Sequence, residues 1–80
     1  MLNPEFYIVL KNEELTDELE NAVYEAGFDD SSLTMRGGSA AIWIRHRPGD
    51  LTQVVRGALE EAKNGGLCIS HVEMESAIFA

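Results

Sequence analysis

Two histidines and one cysteine are the side chains whose chemistry could make this chain an enzyme. Cys68 and His71 could act as nucleophile and base, but the pair would need a lowered thiol pKa and a third group to orient the imidazole. The sequence indicates neither, and Cys68 is predicted to be a small buried side chain. His46 falls in the core-facing phase of its strand and is predicted to be partly buried, whereas a solvent-facing position is the simple expectation for His71. No catalytic residue is assigned, and the chain is predicted not to be an enzyme.

The acidic residues and the glycine pairs have the wrong spacing for a metal loop or a phosphate loop. The acids between Glu13 and Glu20 do not match the ligand pattern of a calcium loop. Neither Gly37-Gly38 nor Gly65-Gly66 is followed by the Lys-Ser/Thr pair of a phosphate loop. We therefore expect no metal and no cofactor.

Aromatic and arginine residues give the clearest indication of binding. The predicted contact residues share one face of a sheet: Tyr7, Val9, Ala41 and Trp43, with Arg36, Arg45 and Arg47 at its margins. Tyr, Trp and Arg are enriched in the centres of protein interfaces, and an exposed aromatic patch disfavours a monomer. A second copy, another protein or single-stranded RNA could cover it, since some RNA-recognition domains stack bases on strand aromatics. Alternatively, Trp43 lies flat beneath Arg45 and the C-terminal Ile78 and Phe79.

A hairpin must position these residues. Two strand-like runs, Ser32–Arg36 and Ser39–Arg47, are joined by Gly37-Gly38, which is typical of a two-residue turn with positive φ at both positions. This turn sets the register, so that Ser32 is opposite Trp43. One face is then wholly apolar: Leu33, Met35, Ala40, Ile42 and Ile44.

Two amphipathic helices flank the hairpin. The first carries an apolar stripe from Leu15 to Ala26, with Thr16 as the predicted cap and Gly27 after its end. The second is predicted to begin at Asp50, with Gln53 completing a capping box, and its stripe runs from Leu51 to Ala62. Gly57 lies on the far side of that helix. It reflects either neutral drift or a close packing contact.

The remaining apolar runs predict the outer connections of the fold. Residues 5–10 are apolar on both faces, which is typical of a central strand. Residues 67–74 change phase, with Leu67 and Ile69 on one face and Val72 and Met74 on the other, which indicates a bulge or an edge strand. The order βαββαβ predicts a single ferredoxin-like α+β domain over residues 1–80. Its four-stranded antiparallel sheet would carry both helices on one face, with the first and third strands as central neighbours.

Composition and charge limit the classes of partner. The chain has 80 residues, a net charge of −8 and one cysteine, which excludes an intramolecular disulfide. Eight acids and no base lie in residues 12–30, whereas residues 31–49 contain three arginines and no acid. This balance disfavours duplex DNA as a partner of the isolated domain. No run approaches the length of a membrane span, so we expect no membrane association and a cytoplasmic location.

Four features of the chain occur together: residues 25–30 after the first helix, the glycine-containing hairpin, the helix start at Asp50-Leu51 and the ending Ile69-Ser70-His71-Val72-Glu73. With these features the whole chain resembles the N-terminal module of small bacterial helix-turn-helix DNA-binding proteins. In those proteins a helix-turn-helix follows at about the position where this chain stops, so the DNA-reading part does not carry over. The resemblance implies a regulatory or partner-sensing module.

Together these features predict a non-enzymatic interaction module that acts through its open sheet face, as a homodimer or with another protein. The alternative is a single-stranded nucleic-acid-binding domain that uses Tyr7, Trp43 and the flanking arginines.

Overall fold

The computed structural model describes residues 4–74 and shows two helices packed on one face of a four-stranded antiparallel sheet. In chain order the elements are β1 (Phe6–Leu10), α1 (Asp17–Glu25), β2 (Ser32–Arg36), β3 (Ser39–Ile44), α2 (Leu51–Asn64) and β4 (Ile69–Glu73). The strand order β2-β3-β1-β4 makes β1 and β3 the central neighbours. The predicted ferredoxin-like βαββαβ fold is confirmed. Ile78 and Phe79, which we considered as a cover for Trp43, lie outside the described residues.

The β2–β3 hairpin has the predicted register. Gly37 and Gly38 have φ of 57° and 85°, as a two-residue turn requires, and Ser32 is paired with Trp43. The third strand, however, ends at Ile44 and not at Arg47. Alternation therefore does not govern the orientation of the three residues that follow Ile44.

The main core lies between the sheet and the helices. Its strand residues alternate as predicted, and its helix residues come from the apolar stripes. The fully buried large side chains are those of Phe6, Ile8, Leu10, Phe28, Ile42 and Ile44. Ala58 and Ala62 of α2 are also completely buried.

Helix α1 begins and ends at sequence-encoded caps. The Leu19 amide donates to Thr16 Oγ1 over 3.1 Å, which confirms the predicted N-cap. At the other end Gly27 has φ of 109°, and the amide of the buried Phe28 donates to the Val23 carbonyl. This pattern is a Schellman motif. Leu15 precedes the helix and is 46% exposed, so its predicted place in the buried stripe is wrong.

Helix α2 is capped differently from the prediction. Asp50 occupies the N-cap position, but its side chain makes no capping hydrogen bond, so the predicted capping box with Gln53 is not formed. Leu51, in the first turn, is 40% exposed. The helix ends in a second Schellman motif, in which the Leu67 amide donates to the Ala62 carbonyl.

Strand β4 contains the predicted irregularity. Its register against β1 shifts between Val9 and Leu10. Because this bulge reverses the alternation, both predicted apolar pairs pack against the same helix-side core: Leu67, Ile69, Val72 and Met74. The phase change in the sequence therefore does not move half of the strand away from the core.

Candidate interaction surface

A second, smaller apolar cluster lies on the sheet face opposite the helices. The β1–β3 register places Tyr7 beside Trp43 and Val9 beside Ala41, as predicted. Tyr7, Val9 and Ala41 are buried, and Trp43 packs against them while remaining half-buried. Among residues 4–74, no helix residue belongs to this cluster.

Two guanidinium groups cover the aromatic rings. The Tyr7 and Trp43 rings are stacked, with centroids 5.7 Å apart and planes inclined by 13°. The Arg36 guanidinium lies 4.0 Å from the centroid of Tyr7, and that of Arg45 lies 3.9 Å from the centroid of Trp43. Both contacts are within the range of cation–π attraction. The sequence predicted both arginines at the margin of this face, with Arg45 over Trp43 only as the alternative; in the structure each arginine lies over a ring.

Two glutamates complete the arrangement. Arg36 Nε donates to Glu73 Oε1 over 2.8 Å, so the Arg36 side chain reaches from edge strand β2 to edge strand β4. The Trp43 indole N–H donates to Glu5 Oε2, also over 2.8 Å. We call the set Glu5, Tyr7, Arg36, Trp43, Arg45 and Glu73 the aromatic–arginine cluster. Neither glutamate was among the predicted contact residues, and for Glu73 the reason is that the bulge in β4 hides the register that brings it next to Tyr7.

His71 borders the cluster at the β4 edge. It is exposed, as the simpler expectation had it, and its Nε2 lies 2.8 Å from Glu73 Oε2. Hydrogen bonds from His71 and Arg36 hold the pKa of Glu73 below its ordinary value. Glu73 is therefore a carboxylate at neutral pH, and the cluster contains two positive and two negative side chains.

Arg47 is not at the margin of this face, which corrects the prediction. Its Nε lies 3.0 Å from Asp30 Oδ2, its Nη2 donates to the Gly27 carbonyl over 3.1 Å, and its Nη1 pairs with Glu61 of α2. The guanidinium also lies over the ring of Phe28, in the main core. The hydrogen bond from Arg47 lowers the pKa of Asp30. Because β3 ends at Ile44, the chain turns toward the helices and takes Arg47 with it.

His46 and Cys68 are both exposed, so the predictions that each is at least partly buried are wrong. His46 lies beyond the end of β3, where the strand alternation used to place it no longer applies. Cys68 precedes β4, and its neighbour Leu67 makes the core contact instead. Among residues 4–74 no three His, Cys, Asp or Glu side chains are grouped so that they could hold a metal ion.

Comparisons with known proteins add no functional assignment. No protein-family model, curated protein or solved structure matches the chain. In the described part of the chain, neither helix has the length and apolar character needed to cross a membrane. The chemistry of the aromatic–arginine cluster is therefore the main guide to function.

Proposed function

We propose that this protein is a non-enzymatic interaction module that forms a homodimer through the sheet face bearing the aromatic–arginine cluster. The main support for this proposal is a stacked Tyr–Trp pair, with an arginine over each ring, on the face that neither helix covers. Trp, Tyr and Arg are the residue types that contribute most to binding energy at protein interfaces. The half-buried Trp43 ring supplies apolar area that a second molecule can bury.

The distribution of charge supports a second copy as the occupant. The cluster has two arginines and two glutamates, so the whole net charge of −8 lies elsewhere on the chain. Two copies that met through other, acidic surfaces would repel each other, whereas the cluster face is electrically balanced. In a two-fold symmetric interface the same surface patch of each copy faces that of the other. A patch with both positive and negative side chains can therefore pair its arginines with the glutamates of the second copy.

Arg45 and Glu5 are the groups best placed to pair across such an interface. Each contacts Trp43, and within residues 4–74 neither forms a salt bridge. Arg45 and Glu5 are also both exposed. Two reciprocal Arg45–Glu5 pairs would surround the apposed Trp43 side chains and exclude water from them.

Single-stranded nucleic acid is the less supported occupant. A base would have to stack on Trp43 or Tyr7, but Arg45 and Arg36 already lie over those rings. The acidic remainder of the chain would also repel phosphates. The resemblance to modules that accompany helix-turn-helix segments favours a regulatory role for the proposed dimer.

Charge reversal and charge exchange test the dimer. Sedimentation equilibrium is measured for the wild type, Arg45→Glu, Glu5→Arg and the double exchange Arg45→Glu/Glu5→Arg. We expect each single variant to raise the dimer Kd by about tenfold and the double variant to recover most of that loss. Arg56→Glu, on the exposed surface of α2, is the matched control, because it changes the net charge as Arg45→Glu does but lies outside the cluster.

Two outcomes would contradict the proposal. The first is a wild type that sediments as a monomer at millimolar concentration. The second is an equal effect of Arg45→Glu and Arg56→Glu, since that would show a response to net charge alone. Quenching of Trp43 fluorescence by oligouridylate, with a steep dependence on salt, would favour the nucleic-acid alternative instead.

A further inference from the structure

Strand β2 is an open edge of the sheet on the opposite side from β4. The strand order leaves one side of β2 without a neighbouring strand among the described residues. In an antiparallel pair, alternate residues direct their N–H and C=O groups toward the partner strand and away from it. Arg36 and Ser39 flank the two-residue turn and pair with each other, so the backbone N–H and C=O of Arg36 face β3. By alternation, the backbone N–H and C=O groups of Leu33 and Met35 face away from β3.

A groove runs beside this edge, between β2 and α1. It has a volume of about 450 Å³; half of its lining residues are apolar, including Leu15, Tyr24 and Leu33, and the other half are polar. Tyr24 is 66% exposed and Met35 is 40% exposed, although Met35 is directed to the helix side of the sheet. An open strand edge and a partly apolar groove thus lie next to each other.

The rim of the groove is acidic. Glu20 of α1 and Asp29 of the following loop line it, and no Lys, Arg or His is among the residues that do so. The segment 12–30, which includes α1 and the loop after it, has eight acids and no base, and Arg47 pairs with one of these acids, Asp30. A second copy docked here would bring two such segments together, so charge disfavours self-association at this edge.

We propose that the β2 edge binds an extended basic segment of another protein, which adds to the sheet as a fifth strand. Its backbone would bond to the outward N–H and C=O groups of Leu33 and Met35. Every second side chain of the bound segment would point to the helix side of the sheet. Its apolar side chains would lie in the groove against Leu33 and Tyr24, and its Lys or Arg side chains would lie near Glu20 and Asp29. This site is separate from the aromatic–arginine cluster, so its test and that of the homodimer can fail independently.

The probe is the blocked heptapeptide Lys-Thr-Leu-Thr-Leu-Thr-Lys, whose leucines and lysines share one face of a strand. Titration is followed by the amide resonances of the protein, with the glutamate version of the peptide as the charge control. We expect the largest shifts, and slowed hydrogen exchange, at the Leu33 and Met35 amides.

Glu20→Lys should weaken binding by about tenfold, whereas Glu60→Lys on α2 should change it by less than about twofold. Tyr24→Ala, which removes an exposed ring, provides a second variant expected to weaken binding while the protein stays folded.

Four results would overturn this proposal. One is the absence of binding to the wild type at millimolar peptide. Another is equal binding of the lysine and glutamate peptides, which would exclude the acidic rim from recognition. The third is binding that leaves the Leu33 and Met35 amides unchanged, and the fourth is an equal weakening of binding by Glu20→Lys and Glu60→Lys. In the last two cases the peptide would lie elsewhere on the acidic surface.

Discussion

The guanidinium of Arg47 joins three segments on the helix side of the sheet. It contacts Asp30 in the loop before β2, the Gly27 carbonyl at the end of α1 and Glu61 of α2, and it lies over Phe28. The acids are partly exposed, which weakens each ion pair, but several charge-assisted hydrogen bonds converge on one mostly buried side chain. Arg47 therefore connects elements that are distant in sequence.

Arg47→Met tests this role, since methionine keeps the apolar contact with Phe28 and removes the hydrogen bonds. We expect a loss of about 1–2 kcal/mol in the free energy of unfolding, measured in urea. Arg56→Met, at an exposed position of α2, should cost less than about 0.5 kcal/mol. Equal losses for the two variants would show that Arg47 has no special structural role.

The lowered pKa of Asp30 predicts a dependence of stability on pH. Because the pKa in the folded chain lies below the ordinary value of 3.8, the unfolded chain binds more protons in the interval between the two values. The stabilising contribution of Asp30 is thus present above that interval and is lost as the pH falls through the folded pKa. Urea unfolding of the wild type and Asp30→Asn should show a difference in stability that shrinks from about pH 5 to about pH 3. A difference that stays constant over this range would contradict the account.

Arg47 and His46 were misplaced for the same physical reason. Both were assigned by extending the alternation of β3 to Arg47, but the strand ends at Ile44. The acids that hold Arg47 on the helix side, Asp30 and Glu61, are 17 and 14 residues away in sequence. Local alternation carries no information about such long-range partners.

At the scale of elements, the most accurate predictions came from local backbone chemistry. The Gly37-Gly38 turn fixed the β2–β3 register, and through it the positions of Trp43 and Ala41 on the uncovered face. Thr16 and Gly27 likewise marked the ends of α1. The register of β4 could not be predicted to the residue, because a bulge inserts its extra residue at a place decided by packing against β1. For that reason Glu73 was absent from the predicted site.

The two glycines associated with α2 have opposite expected responses to substitution. Within residues 4–74, a Cβ at Gly57 would meet no atom within 4 Å apart from the backbone of its own helix, so the alternative of close packing there is wrong. Gly57→Ala should stabilise the protein by about 0.5–1 kcal/mol through helix propensity. A Cβ at Gly65 would lie 2.5 Å from the Cβ of Ala26, so Gly65→Ala should destabilise it. The free energy of unfolding of both variants is measured in urea and compared with that of the wild type. Equal changes in the same direction would contradict this expectation.

At the scale of the whole molecule, charge distinguishes the two surfaces for which we propose different partners. The net charge of −8 lies outside the aromatic–arginine cluster, and the α1 side of the molecule is acidic without any base from residue 12 to residue 30. The balanced face suits a second copy, and the acidic β2 edge suits a basic segment. The two proposed contacts use different strand surfaces, so the dimer could present two such edges at once.

Trp43 is the single tryptophan of the chain, and its emission reports directly on the face through which we propose that the protein dimerises. Emission wavelength and quenching by acrylamide are measured as the protein is diluted from millimolar to submicromolar concentration. If Trp43 is buried in the dimer interface, we expect a red shift of its emission and stronger quenching on dilution, over the concentration range in which sedimentation shows dissociation. Emission and quenching that stay constant while the dimer dissociates would show that Trp43 lies outside the interface and would contradict the central claim.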